Sequence, residues 1–229
     1  MNTNFRDSIN DLIWFLDRGY PKKPAVAIVG NKYKLNHQER MILYRGVFET
    51  ESSSDRKKKL IDPHKAPPQK LLIDGNNVII TISSYLKGLP VFRALDGYVR
   101  DVSEVFGRFK IERETRRVIE LVADFINNLG EIEYVCIYLD KPVFEGMDIR
   151  TFQSYIVDKT KESQQSVVVR VVESVDNEIK QESATDSAAV TSDTEIIDKV
   201  VSVIDMPDQI ITKVFQGEIL DLKDFVLFK

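Results

Sequence analysis

The sequence predicts an α/β protein, with a mostly parallel sheet sandwiched by helices and a small all-α bundle in front of it. Three observations carry this. Beyond residue 70, short aliphatic and β-branched runs alternate with stretches whose apolar residues recur at helical spacing. Three of those runs close on an aspartate: Asp74, Asp140 and Asp193. Before residue 50 only helical periodicity is present.

In order, Phe5, Ile9, Leu12, Ile13 and Leu16 fall three and four apart and predict an amphipathic helix, ended by Gly19. Pro24 to Val29 reads as a short apolar helix stopped at Gly30-Asn31. Asn36, with Glu39 three residues on, has the spacing of a capping box. It opens a third helix through Met41, Ile42, Leu43, Tyr44 and Val47. Residues 1–50 thus form a small helical domain. Its Lys22, Lys23, Lys32, Lys34, Arg40 and Arg45 either contact phosphates without reading sequence or simply make a solvated basic face. Residues 51–69 read as a linker. Three serines, the run Arg56-Lys57-Lys58-Lys59, and Pro63, Pro67 and Pro68 argue against regular structure there.

The domain at 70–229 opens with a strand at 71–74 and a helix at 78–86. A strand at 90–95 and a loop at 96–101 follow, then a long helix at 115–129 closed by Gly130. EYVCIYLD, at 133–140, is the clearest strand. Further strands are expected at 167–172, 188–191 and 201–204, with helices at 148–162, 177–183, 194–200 and 207–214. Alternation of this kind puts helices on both faces of a parallel sheet.

Composition narrows the function classes. A hydrophobic content of 43% with 30% charged residues belongs to a soluble globular chain. No apolar run approaches the roughly 18–20 residues of a membrane span, and the first residues lack the basic-then-apolar layout of a signal peptide, so the cytoplasm is expected and no membrane partner. Cys136 is the only cysteine, which excludes an intrachain disulfide and a multi-cysteine zinc site. His37 and His64 are the only histidines, so any metal in the main domain must be held by oxygen. Charge is divided unevenly. Residues 1–70 hold 14 Lys/Arg against 8 Asp/Glu, a balance of +6, and residues 71–229 hold 18 against 28, a balance of −10. A basic piece beside an acidic domain suits a nucleic-acid partner. The oligomeric state is left open, a homo-oligomer included.

In a parallel sheet the carboxyl ends of the strands share one edge, so Asp74, Asp140 and Asp193 are expected on one rim. Asp176 stands just after another strand and joins them. Gathered carboxylates repel unless a cation is present. Mg2+ or Mn2+ takes oxygen ligands and acidifies bound water, which suits phosphodiester hydrolysis. The plainer alternative is that Asp74 only caps the helix that follows it.

LLIDGNNVI, CIYLD, ESVDNEI and AVTSDTEIID together resemble the acidic series of PIN-like nucleases, most closely the NYN branch. That resemblance implies a PIN-like, Rossmannoid fold and a metal-dependent ribonuclease. Asp74, Asp140, Asp176 and Asp193 would bind Mg2+ or Mn2+, and Asn76, Asn77, Thr191 and Ser192 would adjoin the substrate. The whole chain also resembles an uncharacterised prokaryotic family that sets a short helical domain before a PIN-like one. Its signatures appear here as DRGYPKKPAVAIVGNKYKL, ERMILYRGV, IDGNNVIIT and DGYVRD, and it implies the two-part layout without an activity.

Two departures from the PIN pattern stand out. Lys141-Pro142-Val143-Phe144-Glu145-Gly146 replaces the small hydroxyl residues expected after Asp140. Asp96, Arg100 and Asp101 form an extra cluster: either a turn with a local Arg–Asp pair, or a place where the Arg100 fork meets a phosphate. Asp198 reads as a surface or capping residue, placed where it can support Asp193. The competing function is a non-catalytic RNA-binding module of the same fold. A haloacid-dehalogenase-like phosphatase needs a second aspartate where Asn76 stands. No GxxxxGK[ST], GxGxxG or GxSxG occurs.

Overall fold

The computed structural model describes residues 3–103, 113–130, 132–141, 149–160 and 166–227. Its centre is a five-stranded sheet, all neighbours parallel, in the order β5-β4-β1-β6-β7. The strands are β1 (Lys70–Asp74), β4 (Tyr134–Asp140), β5 (Ser166–Val172), β6 (Ser187–Val190) and β7 (Val203–Ile204). The chain runs from β1 to β4 and β5 on one side, then crosses back to β6 and β7 on the other. The carboxyl end of β1 therefore lies at the point where the strand order reverses, which is where open α/β sheets form a crevice.

Both faces of the sheet are covered, as parallel sheets require. Alternation along β1 sends Leu71 and Ile73 to one face and Leu72 to the other. The first face packs against α5 (Gly75–Leu86), α6 (Arg113–Asn127) and α7 (Ile149–Lys159), through residues such as Val78, Ile82, Val118, Ile126 and Ile156. The second packs against α8 (Val175–Glu182) and α9 (Thr194–Ile197), through Val175, Ile179, Ile196 and Ile197. Cys136 is buried on that second face. The helix expected at 207–214 is a single turn, α10 (Met206–Gln209), continued as a π-helical segment Ile210–Val214.

Four helices precede the sheet: α1 (Thr3–Leu16), α2 (Lys22–Lys32), α3 (His37–Gly46) and α4 (Thr50–Lys58). The Asn36–Glu39 capping box at the start of α3 is complete in both directions. Gly30-Asn31 does not stop α2, which runs through them, with the Arg40 guanidinium packed against Gly30.

The segment expected as an unstructured linker is α4 followed by an added edge. Glu51 sits in the first turn of α4 and Arg56, Lys57 and Lys58 in its last, the arrangement the helix dipole favours. Residues 59–61 then run beside β7, with Val203 N–H donating to Lys59 O at 2.8 Å and Ile61 N–H to Val203 O at 2.9 Å. This covers an otherwise open sheet edge.

Nor are the first helices a freestanding bundle. Their core of Phe5, Ile9, Leu12, Ile42 and Leu43 continues into Phe92, Ala94 and Leu222. Phe92 belongs to a second sheet, in the order β3-β2-β8, built from β2 (Val91–Arg93), β3 (Val99–Asp101) and β8 (Leu220–Asp221). The stretch 90–95 thus joins a separate small sheet. Residues 99–101, expected in a loop, are its antiparallel partner strand. Asn10 ties α1 to the chain's far end, donating to Phe225 O and accepting from Leu227 N–H. No helix among the described residues is long and apolar enough to cross a membrane.

Candidate active site

The turn Asp74-Gly75-Asn76-Asn77 between β1 and α5 joins three strand ends. Asp74 closes β1 and caps α5, its Oδ1 accepting from Asn77 N–H at 3.1 Å. The capping role and the rim position coincide in one side chain. Its Oδ2 accepts from the Thr191 hydroxyl, just beyond β6, at 3.0 Å. Asn76 reaches the end of β4, where its Nδ2 donates to Asp140 Oδ2 and its Oδ1 accepts the Asp140 N–H, each at 3.2 Å. Asn77 Oδ1 accepts from Ser192 N–H at 2.9 Å and from the Ser192 hydroxyl at 3.1 Å. Gly75 is required by closeness: a Cβ there would lie 2.8 Å from Tyr138 O and 2.7 Å from Leu139 Cδ2.

The four aspartates stand around this turn. Asp193 caps α9, accepting from Glu195 N–H at 2.7 Å, while its own N–H donates to the Thr191 hydroxyl at 3.0 Å. Asp140 Oδ1 accepts from Val175 N–H at 3.2 Å, which seats the start of α8 against β4. Asp176 lies in the first turn of α8, with Ser174 as the cap. Of the four, only Asp176 has a cationic neighbour among the described residues, Lys180 at 3.8 Å.

Burial pushes the Asp74 carboxyl up to about 7, and the charges of Asp193 and Asp140 push the same way, against the Asn77 and Thr191 hydrogen bonds that favour ionisation. Asp140 is raised by burial, opposed by the Val175 N–H. Asp176 is raised by burial and by Asp193, with Glu195 and Asp140 adding to it and Lys180 opposing. The charges of Asp193 and Asp140 act on both Asp74 and Asp176, which places the four in one electrostatic neighbourhood. Among the described residues, however, no three His, Cys, Asp or Glu side chains are already drawn together as the shell of a metal ion.

The extra cluster has a different arrangement from a phosphate contact. Arg100, 3% exposed, is clamped to Asp96 by two bonds of 2.7 and 2.9 Å, and its Nε donates to Ser192 O at 3.0 Å. Its fork is occupied by a carboxylate, and its remaining reach fixes the backbone of the Thr191-Ser192-Asp193 turn. Asp101 accepts from the Thr81 hydroxyl at 3.0 Å and from Arg45 at 3.2 Å, and also pairs with Ser103. Asp198 is held bidentately by Arg56 at 2.7 and 2.8 Å, which lowers its carboxyl. Asp96, Asp101 and Asp198 thus bind arginines and fasten α3, α4 and β3 around the rim. The loop residues 142–146 lie outside the described residues.

A pocket of about 480 Å³ opens beside the rim, between Asn77, Ser192 and Asp193 on one wall and Lys22, Tyr44 and Phe48 on the other. Phe48 and Glu195, which also line it, were not expected as site residues. The cue for this wall is the aromatic pair Tyr44 and Phe48, four residues apart across the end of α3 among basic residues.

A family model described as a domain of unknown function (DUF5616) matches residues 63–209. The chain belongs to the DUF5616 family. A second model, a protein of unknown function (DUF434), matches residues 4–59, so the two meet in the short segment between α4 and β1. In this DUF5616 protein the segment matched by DUF434 carries the helices that share a core with β2 and Leu222. An uncharacterized protein of Methanocaldococcus jannaschii is 30% identical over 133 residues, 58% of this chain and 63% of that relative's length. No solved structure matches.

Proposed function

We propose that this DUF5616 protein is a metal-dependent nuclease of PIN-like type, hydrolysing phosphodiester bonds in RNA at the Asp74 rim. The observation that carries the reading is the setting of Asp74. Asp74 is 7% exposed, at the strand-order switch, held by Thr191 and Asn77 with further carboxylates near it, and among the described residues no lysine or arginine pairs with it. A buried carboxyl raised further by neighbouring carboxylates at the carboxyl edge of a sheet is costly to a folded chain, and such groups recur at functional sites.

Asp74 and Asp140, with Asp176 and Asp193 beside them, are the residues that would hold Mg2+ or Mn2+. Such an ion would supply acidified water and neutralise charge on the phosphoryl oxygens. The chain's own residues prepare that site. The Thr191 hydroxyl and the Asn77 N–H fix the two Asp74 oxygens, Asn76 fixes Asp140 from both its backbone and its side chain, and Arg100 fixes the turn that carries Asp193.

One observation favours a second reading, an RNA-binding module of the same fold without turnover: among the described residues no three ligands are gathered in advance. The two separate in one experiment. Incubating the purified protein with single-stranded RNA and Mn2+, alongside Asp74→Asn and Asp193→Asn, gives cleavage lost in both variants if the nuclease reading holds. Binding by all three proteins without cleavage by any identifies the module.

A further inference from the structure

We infer that the pocket beside the aspartate rim is an anion subsite, which holds a phosphate group of a single-stranded nucleotide chain against Lys22. This deepens the nuclease reading and rests on it for the identity of the strand, but its evidence lies on the opposite wall from the aspartates.

Lys22, at the start of α2, lies partly buried with its Nζ 3.5 Å from the centre of the Phe48 ring. Among the described residues no carboxylate pairs with it. Burial and then the charge of the Arg100 guanidinium pull its ammonium down to about 7, with Arg56 adding to them and the charges of Asp96 and Glu49 opposing. A partly buried ammonium beside guanidiniums, with no carboxylate in ion-pair contact, is an unfavourable arrangement for the chain alone, and an anion in the pocket relieves it. Arg56 makes a second, independent point. It is 9% exposed, lines the same pocket, and although two of its nitrogens grip Asp198, its Nη1 has no hydrogen-bond partner among the described residues; an Asp96 carboxylate oxygen lies 3.7 Å away. Two cationic side chains from α2 and α4 thus line one void, and the unpartnered Arg56 nitrogen lies buried beside it.

The remaining lining says which anion. The volume of about 480 Å³ falls within the roughly 300–1,000 Å³ of small-molecule sites, with room for a nucleotide unit. Tyr44, 45% exposed as a residue, lines the pocket and supplies a ring of the kind on which a base stacks. The opposite wall is Asn77, Ser192 and Asp193, so a strand whose phosphate sits at Lys22 continues to the Asp74 rim.

The test is binding, measured with a chelator present so that cleavage does not enter. The probes are AMP, inorganic phosphate, and a short single-stranded oligoribonucleotide with and without a 5′-phosphate, against wild type, Lys22→Gln and Lys22→Arg. Lys22→Gln is expected to weaken AMP and oligonucleotide binding by about 10-fold, the effect of losing one charge-assisted hydrogen bond. It should also lower the salt slope for the oligonucleotide by about 0.7, and Lys22→Arg should restore part of both. Preference for the 5′-phosphorylated strand assigns the subsite to a terminal phosphate; equal binding of both strands assigns it to an internal one. Failure of wild type to bind AMP or either strand, or equal binding by Lys22→Gln, overturns the subsite. A wild type that binds through Lys22 but never cleaves removes the nuclease reading and leaves the subsite standing.

Discussion

Asn76 grips Asp140 at two points, accepting its backbone N–H and donating to its carboxylate, both at 3.2 Å. One side chain in the first turn of α5 thus sets both the height of the β4 end and the direction of the carboxylate there. Asn76→Ala is expected to cost about 1–3 kcal/mol, since it leaves a part-buried N–H unpaired and takes one of two donors from the Asp140 carboxylate. A fall in the urea midpoint at unchanged m-value, with cleavage reduced more than RNA binding, checks this.

Gly75→Ala acts on the same turn by crowding instead of by a lost bond. The new methyl meets the Tyr138 carbonyl, which belongs to the sheet backbone and cannot turn away. A loss of roughly 1–3 kcal/mol is expected from overpacking. Gly130→Ala, where nothing stands within 4 Å of the added Cβ, is the matched control and should leave the midpoint within about 0.5 kcal/mol of wild type.

The raised carboxyl of Asp74 makes stability pH-dependent with a definite sign. The unfolded chain ionises this group near its ordinary value of about 3.9, whereas the folded chain keeps the proton up to about 7. Between those values the native state holds more protons, so without added ions this group's contribution to stability falls as pH rises through that window and is level above it. Urea midpoints across the range should show the fall, and Asp74→Asn should flatten it. Because a divalent ion needs the ionised carboxylate, Mn2+ affinity should rise with pH towards about 7 and binding should release protons. Calorimetry in buffers of different ionisation enthalpy reads that release.

The shared core predicts that the N-terminal helices melt with the sheet. Leu43, fully buried among Phe92 and Leu222, is the direct probe: Leu43→Ala should cost about 2–5 kcal/mol. Fluorescence and circular dichroism should report a single coincident transition. Two separated transitions would mean that residues 1–58 fold as an independent unit.

What the sequence made legible, and what it hid, follows from the range of each contact. The capping box at Asn36 and Glu39 is local, and so are the aliphatic runs of β1 and β4 that end on Asp74 and Asp140. Their parallel pairing then brings Thr191 and Asp193 to the same rim. α4 was hidden because its threonine, serines and aspartate have middling helix propensity, and what anchors the helix is the grip of Arg56 on Asp198, far along the chain. The joining of the N-terminal helices to β2 was hidden for a similar reason. Gly46 lies against Phe92 and Leu222, a fit with no signature in the periodicity of either partner. Arg100 has residue types that suit phosphate binding as well as ion pairing, and only the position of Asp96 four residues earlier decides between them.

The most direct measurement of the central claim is the cleavage of single-stranded RNA with added Mn2+ by wild type and by Asp74→Asn. Wild type should cleave only when the ion is present, and the variant, folded by circular dichroism, should lose at least about 100-fold of that rate. Equal cleavage by the two proteins, or none by wild type with either Mn2+ or Mg2+, contradicts the assignment of the Asp74 rim as a nuclease site.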